Sequence, residues 1–225
     1  MAHSARVHDY WLGGKDNFAA DRAAGDAVMA AYPGIVQSVR ANRAFLARAV
    51  RFLAAEAEIT QFLDIGTGIP ASNNTHEVAQ AVTPAARVVY VDYDPVVLQH
   101  ARVLLTSAVP GTIDYIDADL RDPGNILDQA SRTLDFGRPV AIMLIAVMHL
   151  IVDADDPYGI VGRLKAAMAP GSYLALSQVA SDIETEQVEE ARRRYNSLAR
   201  ETQRHRTNAV VTGAGIVRSV GEAGA

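Results

Sequence analysis

The 225-residue sequence contains no cysteine. That absence excludes a disulfide framework, thiolate-bound zinc, iron–sulfur clusters and a thiol nucleophile, and it leaves the redox compartment open. Long apolar runs are also missing. The longest, 140–152, is interrupted by His149 and falls well short of the about 20 residues that span a bilayer. The N-terminal string MAHSARVHDYWLGGKDNF lacks an apolar stretch flanked by positive charge, so no signal peptide is expected. Positive charge is in deficit: Lys plus Arg is 21, Asp plus Glu is 26, and the formal charge is −5. Such a chain has no long-range attraction for phosphate backbones, and nucleic acid is not an expected partner. These absences favour a soluble, cytoplasmic protein acting on a small molecule. The sequence contains no internal repeat or low-complexity linker, and nothing in it specifies an oligomeric state.

What is present is an ordinary globular composition, 49% hydrophobic and 21% charged, enough for one domain or one domain with a small appendage. Up to residue 60 the chain reads as helical. Asp16 is placed to cap a helix over 17–31, which Tyr32-Pro33-Gly34 ends. A second helix is expected over 36–57, with Val39, Phe45, Leu46, Ala49, Val50 and Leu53 mostly on one face. From Thr60 onward, apolar runs at 61–65, 87–91, 112–116, 140–147 and 173–178 alternate with helical stretches at 74–82, 95–105, 123–133, 157–168 and 183–199. Near-continuous apolar strands alternating with helices predict a mainly parallel sheet covered on both faces, a doubly wound Rossmann-like α/β fold with ligands at the carboxyl edge. The expected organisation is a helical lid or appendage over 1–58, a nucleoside-binding unit over 59–200, and an irregular or frayed segment over 201–225. In that last segment only the cluster 209–211 is apolar.

The most informative string is Phe62-Leu63-Asp64-Ile65-Gly66-Thr67-Gly68. Glycines directly after a strand allow a tight turn and close approach of a ligand. Alone, the pattern is equally explained by a turn with no ligand. Asp92 ends the second apolar run, where a carboxylate can accept both hydroxyls of a ribose. Asp117-Ala-Asp119-Leu120 ends the third, where an acid can accept an adenine amino group. Each acid alone could be a solvated loop carboxylate, but acids ending three successive strands at one sheet edge point to an adenosine pocket. Asp94 precedes Pro95 in the manner of a helix N-cap. The segment from Gly66 to Ala71 formally fits a dinucleotide fingerprint. Asp64 would repel a pyrophosphate, however, and Pro70 removes an N–H that would cradle it. A cationic nucleoside, S-adenosylmethionine, suits the place better, with Asp64 near its ammonium and Thr67 and Asn73 within reach of its carboxylate. A nicotinamide cofactor is the alternative.

These residues resemble the motifs of class I S-adenosylmethionine-dependent methyltransferases. More narrowly, Tyr10-Trp-Leu-Gly-Gly-Lys-Asp-Asn-Phe18, Ala41-Asn-Arg-Ala-Phe-Leu46 and Asn73-Asn-Thr-His-Glu-Val78 resemble a bacterial S-adenosyl methyltransferase family, over about residues 6–195. The resemblance implies that Asp64, Gly66 and Gly68 line the methionine end, Asp92 holds the ribose, Asp119 and Leu120 border the adenine, and Tyr93 packs on its face. With Thr67, Asn73 and Ala146 at the end of the fourth strand, these complete the expected cofactor set. Residues 197–225 depart from the family pattern, which leaves the final strands of the sheet uncertain.

The N-terminal string suggests that Tyr10, Lys15 and Asn17 face the cofactor or substrate cavity; equally, Tyr10 and Trp11 would anchor the arm by burying aromatic area. Asn73 or Asn74 is a candidate cap for the next helix, and His76 a surface or capping residue of its first turn. His149 follows the fourth strand, where it is either a catalytic proton acceptor or a packed neutral histidine. No Asn-Pro-Pro-Tyr-like string follows that strand, which argues against methylation of nucleobase or glutamine amino groups. Asp153-Ala-Asp-Asp156 reads as helix-capping charge, and no metal is expected. The leading expectation is methyl transfer to a small molecule. Cofactor binding without turnover and a nicotinamide oxidoreductase are the alternatives.

Overall fold

A computed structural model describes residues 1–105, 112–182, 185–206 and 215–218. The elements in chain order are α1 (Ser4–Leu12), α2 (Ala19–Ala31), α3 (Ile35–Ala55), β1 (Gln61–Ile65), α4 (Thr75–Val82), β2 (Arg87–Asp92), α5 (Pro95–Leu105) and β3 (Ile113–Asp117). They continue with α6 (Pro123–Ala130), β4 (Ala141–Ile145), α7 (Pro157–Ala166), β5 (Tyr173–Ser177), α8 (Thr185–Leu198) and β6 (Gly215–Arg218). Short 3-10 turns at Met148–Leu150 and Asp153–Asp155 lie between β4 and α7.

The strands order as β3-β2-β1-β4-β5-β6. The first five are parallel, and β6 runs antiparallel to β5. Because β1 pairs with both β2 and β4, the winding reverses at that point and a crevice opens beyond the carboxyl ends of the strands. Strand alternation divides the core in two. Leu63, Ile65, Val89, Val91, Ile142 and Leu144 pack with Ile126, Ile160 and Leu164 of α6 and α7. Phe62, Val88, Tyr90 and Met143 face the other way, against Leu46, Val50 and Leu53 of α3 and Val78 and Ala79 of α4. Each fully buried Val, Leu, Ile, Phe or Met among them contributes about 1.5–3 kcal/mol by leaving water. A third cluster joins the N-terminal helices to α8 through Val7, Trp11, Val28, Ala191 and Tyr195.

The expected division at residue 58 therefore does not follow the packing. α3 covers the sheet as an integral layer, while α1 and α2 dock on α8. Two further expectations are corrected. Asp16 does not cap α2; the carboxylate of Asp21 accepts the Phe18 N–H at 2.8 Å instead, and Asp16 lies 3.5 Å from His100. The stretch after 201 is not frayed as far as residue 206. Buried Arg206 donates to the Met148 and Ile151 carbonyls at 3.2 and 2.9 Å and to Asp153 at 2.8 Å. These bonds satisfy the Ile151 carbonyl and reinforce that of Met148, which also accepts the Ile151 N–H at 3.3 Å, and residues 215–218 then add the edge strand β6. The apolar cluster 209–211 lies outside the described residues. Among the described residues, no helix is long and apolar enough to cross a membrane.

Candidate functional site

The crevice is built where β1 ends. Gly66 turns the chain with φ 74° and Gly68 follows with φ 66°. The Gly66 N–H donates to the Val91 carbonyl at 2.8 Å, and a Cβ at Gly66 would collide with Val147 Cγ2. At Gly68 a Cβ would meet nothing within 4 Å, so that position borders open space. The Gly68 N–H donates to Asp92 Oδ2 at 2.9 Å. Asp92 Oδ1 accepts the Tyr93 and Asp94 N–H groups at 2.8 and 2.9 Å. Burial raises the pKa of Asp92 and these three backbone bonds oppose the rise. Asp64, buried at the end of β1, accepts the Thr75 hydroxyl at 2.6 Å. Burial pushes its pKa up to about 6, against the pull of Thr75 and the Arg43 charge.

Of the residues singled out in the sequence, Asp64, Gly66, Thr67, Gly68, Asp92, Tyr93, Asp119, Leu120, Ala146 and His149 all line this one crevice. Ala146 carries a left-handed φ of 56° and donates its N–H to the Ser177 carbonyl at 3.0 Å; that bend ends β4 before the length expected. Asp119 is held by Arg121 at 2.8 Å. Burial alone would raise its pKa, and the Arg121 contacts outweigh this and lower it. The Tyr93 hydroxyl donates to Glu201 at 3.1 Å.

Asn73 is brought elsewhere. It is exposed, with φ 61°, and precedes the N-cap Asn74. The carboxamide near the crevice is that of Asn74, which accepts from Arg43 Nη2 at 2.8 Å. The lid residues are corrected too, because 4–12 is a helix. Its spacing turns Ser4, His8 and Trp11 toward the crevice. Tyr10 points away, its hydroxyl donating to Asp26 at 2.8 Å. Lys15 is exposed. Asn17 donates to Asp9 at 2.8 Å, so it acts on the wall through Asp9.

The sequence reading missed Arg43, His3 and Glu201. Arg43 lies inside the Ala41–Leu46 string, so the resemblance flagged its segment but not its role. His3 and Glu201 are far apart in the chain, and only packing joins them. His3 Nδ1 lies 2.9 Å from Asp94 and Nε2 lies 2.9 Å from Glu201. Arg6 reaches Asp94 at 3.0 Å and Asp21 at 3.1 Å. Burial by itself would lower the His3 pKa, but the two carboxylates prevail and hold it up at about 9. This buried cluster fastens α1 to the exit of β2.

His149 sits on the 3-10 turn after β4 and is buried. Desolvation, reinforced by His205, His8 and Arg206, pushes its pKa down to about 3, so the ring is neutral. It lines both the crevice and a second, adjoining cavity of about 460 Å³ between the N-terminal helices and α8. Among the described residues, no group of three His, Asp or Glu is placed to hold a metal ion.

Residues 1–214 match the family model described as S-adenosyl methyltransferase. A DUF574 family protein from Streptomyces avermitilis is 47% identical with a TM-score of 0.90, over 94% of this chain and 81% of that one. A protein from Thermobifida fusca YX is 44% identical with a TM-score of 0.87, over 93% and 78% of the two chains. An O-methyltransferase family protein from Burkholderia thailandensis, 14% identical with a TM-score of 0.55 over 85% and 62%, shares the fold. A comparison with curated proteins finds no match.

Two outcomes follow from this geometry. Gly66→Ala and Gly68→Ala both place a side chain at positive φ, a cost of about 1–2 kcal/mol. Gly66→Ala must also displace Val147, adding about 1–3 kcal/mol; equal losses in denaturant unfolding would contradict the difference. For His3, a folded pKa raised from 6.5 to about 9 gives stability that is complete below 6.5 and lost as pH rises through 9. Unfolding free energy is expected to fall over that window by at most about 1.4 kcal/mol per pH unit. His3→Gln should flatten the slope, which a series of unfolding curves will show.

Proposed function

This chain belongs to the S-adenosyl methyltransferase family, and from that premise we propose that it methylates a small-molecule acceptor held in the cavity beside His149. S-adenosylmethionine, when bound, supplies an electrophilic sulfonium methyl group. The observation that carries the reading is the shared wall: Ala146 and His149 border both the acid-edged crevice and the neighbouring cavity. A cofactor and an acceptor can therefore meet there without crossing solvent.

The residues present fit that cofactor. Asp64 offers a buried carboxylate with one hydroxyl partner, suited to an ammonium. Asp92 offers a buried carboxylate able to accept ribose hydroxyls, while Leu120 and Tyr93 give apolar and aromatic surface for adenine. A pyrophosphate would face Asp64 and Asp92, with Pro70 unable to donate. No feature of the site favours nicotinamide chemistry or binding without turnover.

Methyl transfer forms the acceptor–methyl bond, breaks the sulfur–methyl bond to leave a neutral thioether, and releases the acceptor's proton to water at the cavity mouth, so alignment and shielding of the methyl group are the protein's main contributions. α1 supplies the shielding, and its hold on Asp94 supplies the alignment. His149, with its pKa near 3, serves as a neutral hydrogen-bond partner that orients the acceptor, not as a base that carries a full charge.

Incubation with S-adenosylmethionine and a small-molecule library should release S-adenosylhomocysteine with at least one member; none across a broad library would count against turnover. Cofactor affinity should also titrate. Protonation of Asp64, whose pKa is about 6, competes with the ammonium, so the Kd is expected to weaken toward tenfold per pH unit below that value. A flat profile between about pH 5 and 8 would remove Asp64 from the binding role, and Asp64→Asn should produce that flat profile.

A further inference from the structure

We infer that the methyl acceptor is an electrically neutral, multi-ring molecule bearing hydroxyl or carbonyl oxygen, bound between α1, α3 and α8. The inference rests on the methyltransferase reading and specifies what the second cavity takes.

The walls are mainly apolar and aromatic, with Trp11, Phe45, Val39, Val179 and Val188 among them. The volume of about 460 Å³ lies in the range of small-molecule sites. No carboxylate stands on these walls among the described residues, so a cation would enter without a counter-charge. The two arginines there do not prepare the interior for an anion. Arg192 is held by Glu189 at 2.6 Å, and Arg48 is exposed at the rim.

Ser177 and Asn42 on these walls bond each other at 2.6 Å, but other neutral polar atoms there lack partners. His149 Nδ1, His205 Nδ1 and Gln178 Nε2 are buried without a hydrogen bond, and all three residues line this cavity. Buried polar atoms left unpaired are costly, and a ligand that pairs them recovers the loss. Their chemistry constrains the ligand further. His205 Nε2 lies 3.2 Å from Gln203 Oε1, which can only accept, so Nε2 carries the proton and Nδ1 accepts. That atom calls for a ligand hydroxyl. Gln178 Nε2 can only donate and calls for a ligand oxygen. Burial pushes the His205 pKa down to about 4, in line with a site that carries no charge of its own.

The test uses three compounds on one ring system. The full chain, saturated with S-adenosylhomocysteine, is titrated by calorimetry with 2-naphthol, 2-naphthoate and 2-(aminomethyl)naphthalene at pH 7. The neutral compound is expected to bind at least tenfold more tightly than either ion. Quenching or shift of Trp11 fluorescence, the sole tryptophan, should accompany it. Val179→Phe, which narrows this cavity and not the crevice, should weaken 2-naphthol at least tenfold and leave S-adenosylhomocysteine binding unchanged. Absence of 2-naphthol binding, or equal or tighter binding of either ion, overturns the inference while the cofactor reading stands. Failure of S-adenosylhomocysteine to bind at the saturation step overturns both.

Discussion

Three backbone N–H groups converge on the carboxylate of Asp92, and the site depends on that convergence. One bond comes from Gly68 in the loop after β1, and two come from Tyr93 and Asp94 at the exit of β2. A buried carboxylate without such donors would be expensive to keep ionised. With them, the acid and the left-handed glycine loop hold one another in place. The neighbouring Asp94 extends the arrangement by anchoring His3 and Arg6 of the N-terminal segment. Sheet edge, glycine loop and lid are thus tied together within residues 92–94.

Two of the carboxylates at the crevice, Asp92 and Asp64, are treated differently. Asp92 has its three donors, whereas Asp64 has a single hydroxyl, that of Thr75, at 2.6 Å. Burial therefore leaves the Asp64 pKa near 6, poised for a positive ligand to complete its pairing. On the other side of Ala146 and His149 the surroundings change. The imidazoles of His8, His149 and His205 are all pushed down, chiefly by burial, and apolar walls take over. A charged nucleoside and a neutral acceptor would each find a matching medium on opposite sides of one bend in the chain.

Much of the sheet was legible in the sequence because parallel strands buried on both faces read as continuous apolar runs. β1 and α5 fall at the expected residues, and Asp64 and Asp92 at the ends of β1 and β2 and Asp119 after β3 reach one crevice. What was not legible has two physical sources. Helical phase was misjudged at the N-terminus: Tyr10 was given the inward role that helix periodicity gives to His8 and Trp11, and Lys15 lies exposed beyond the end of α1. Long-range pairing was invisible. The meeting of His3 with Glu201, and of Arg206 with the turn after β4, leaves no local pattern, so the 201–206 stretch read as loose when its buried charges tie it down. Asn73 shows a subtler failure, since which of two adjacent asparagines turns inward is set by a left-handed φ at the first.

The central claim is electrostatic: the acids at this sheet edge select a cationic nucleoside over a pyrophosphate-bearing one. Calorimetric titration of the full chain with S-adenosylmethionine and, separately, with NAD+ measures that preference directly. Saturable heat with S-adenosylmethionine and none with NAD+ is expected; saturable heat with NAD+ alone would contradict the claim.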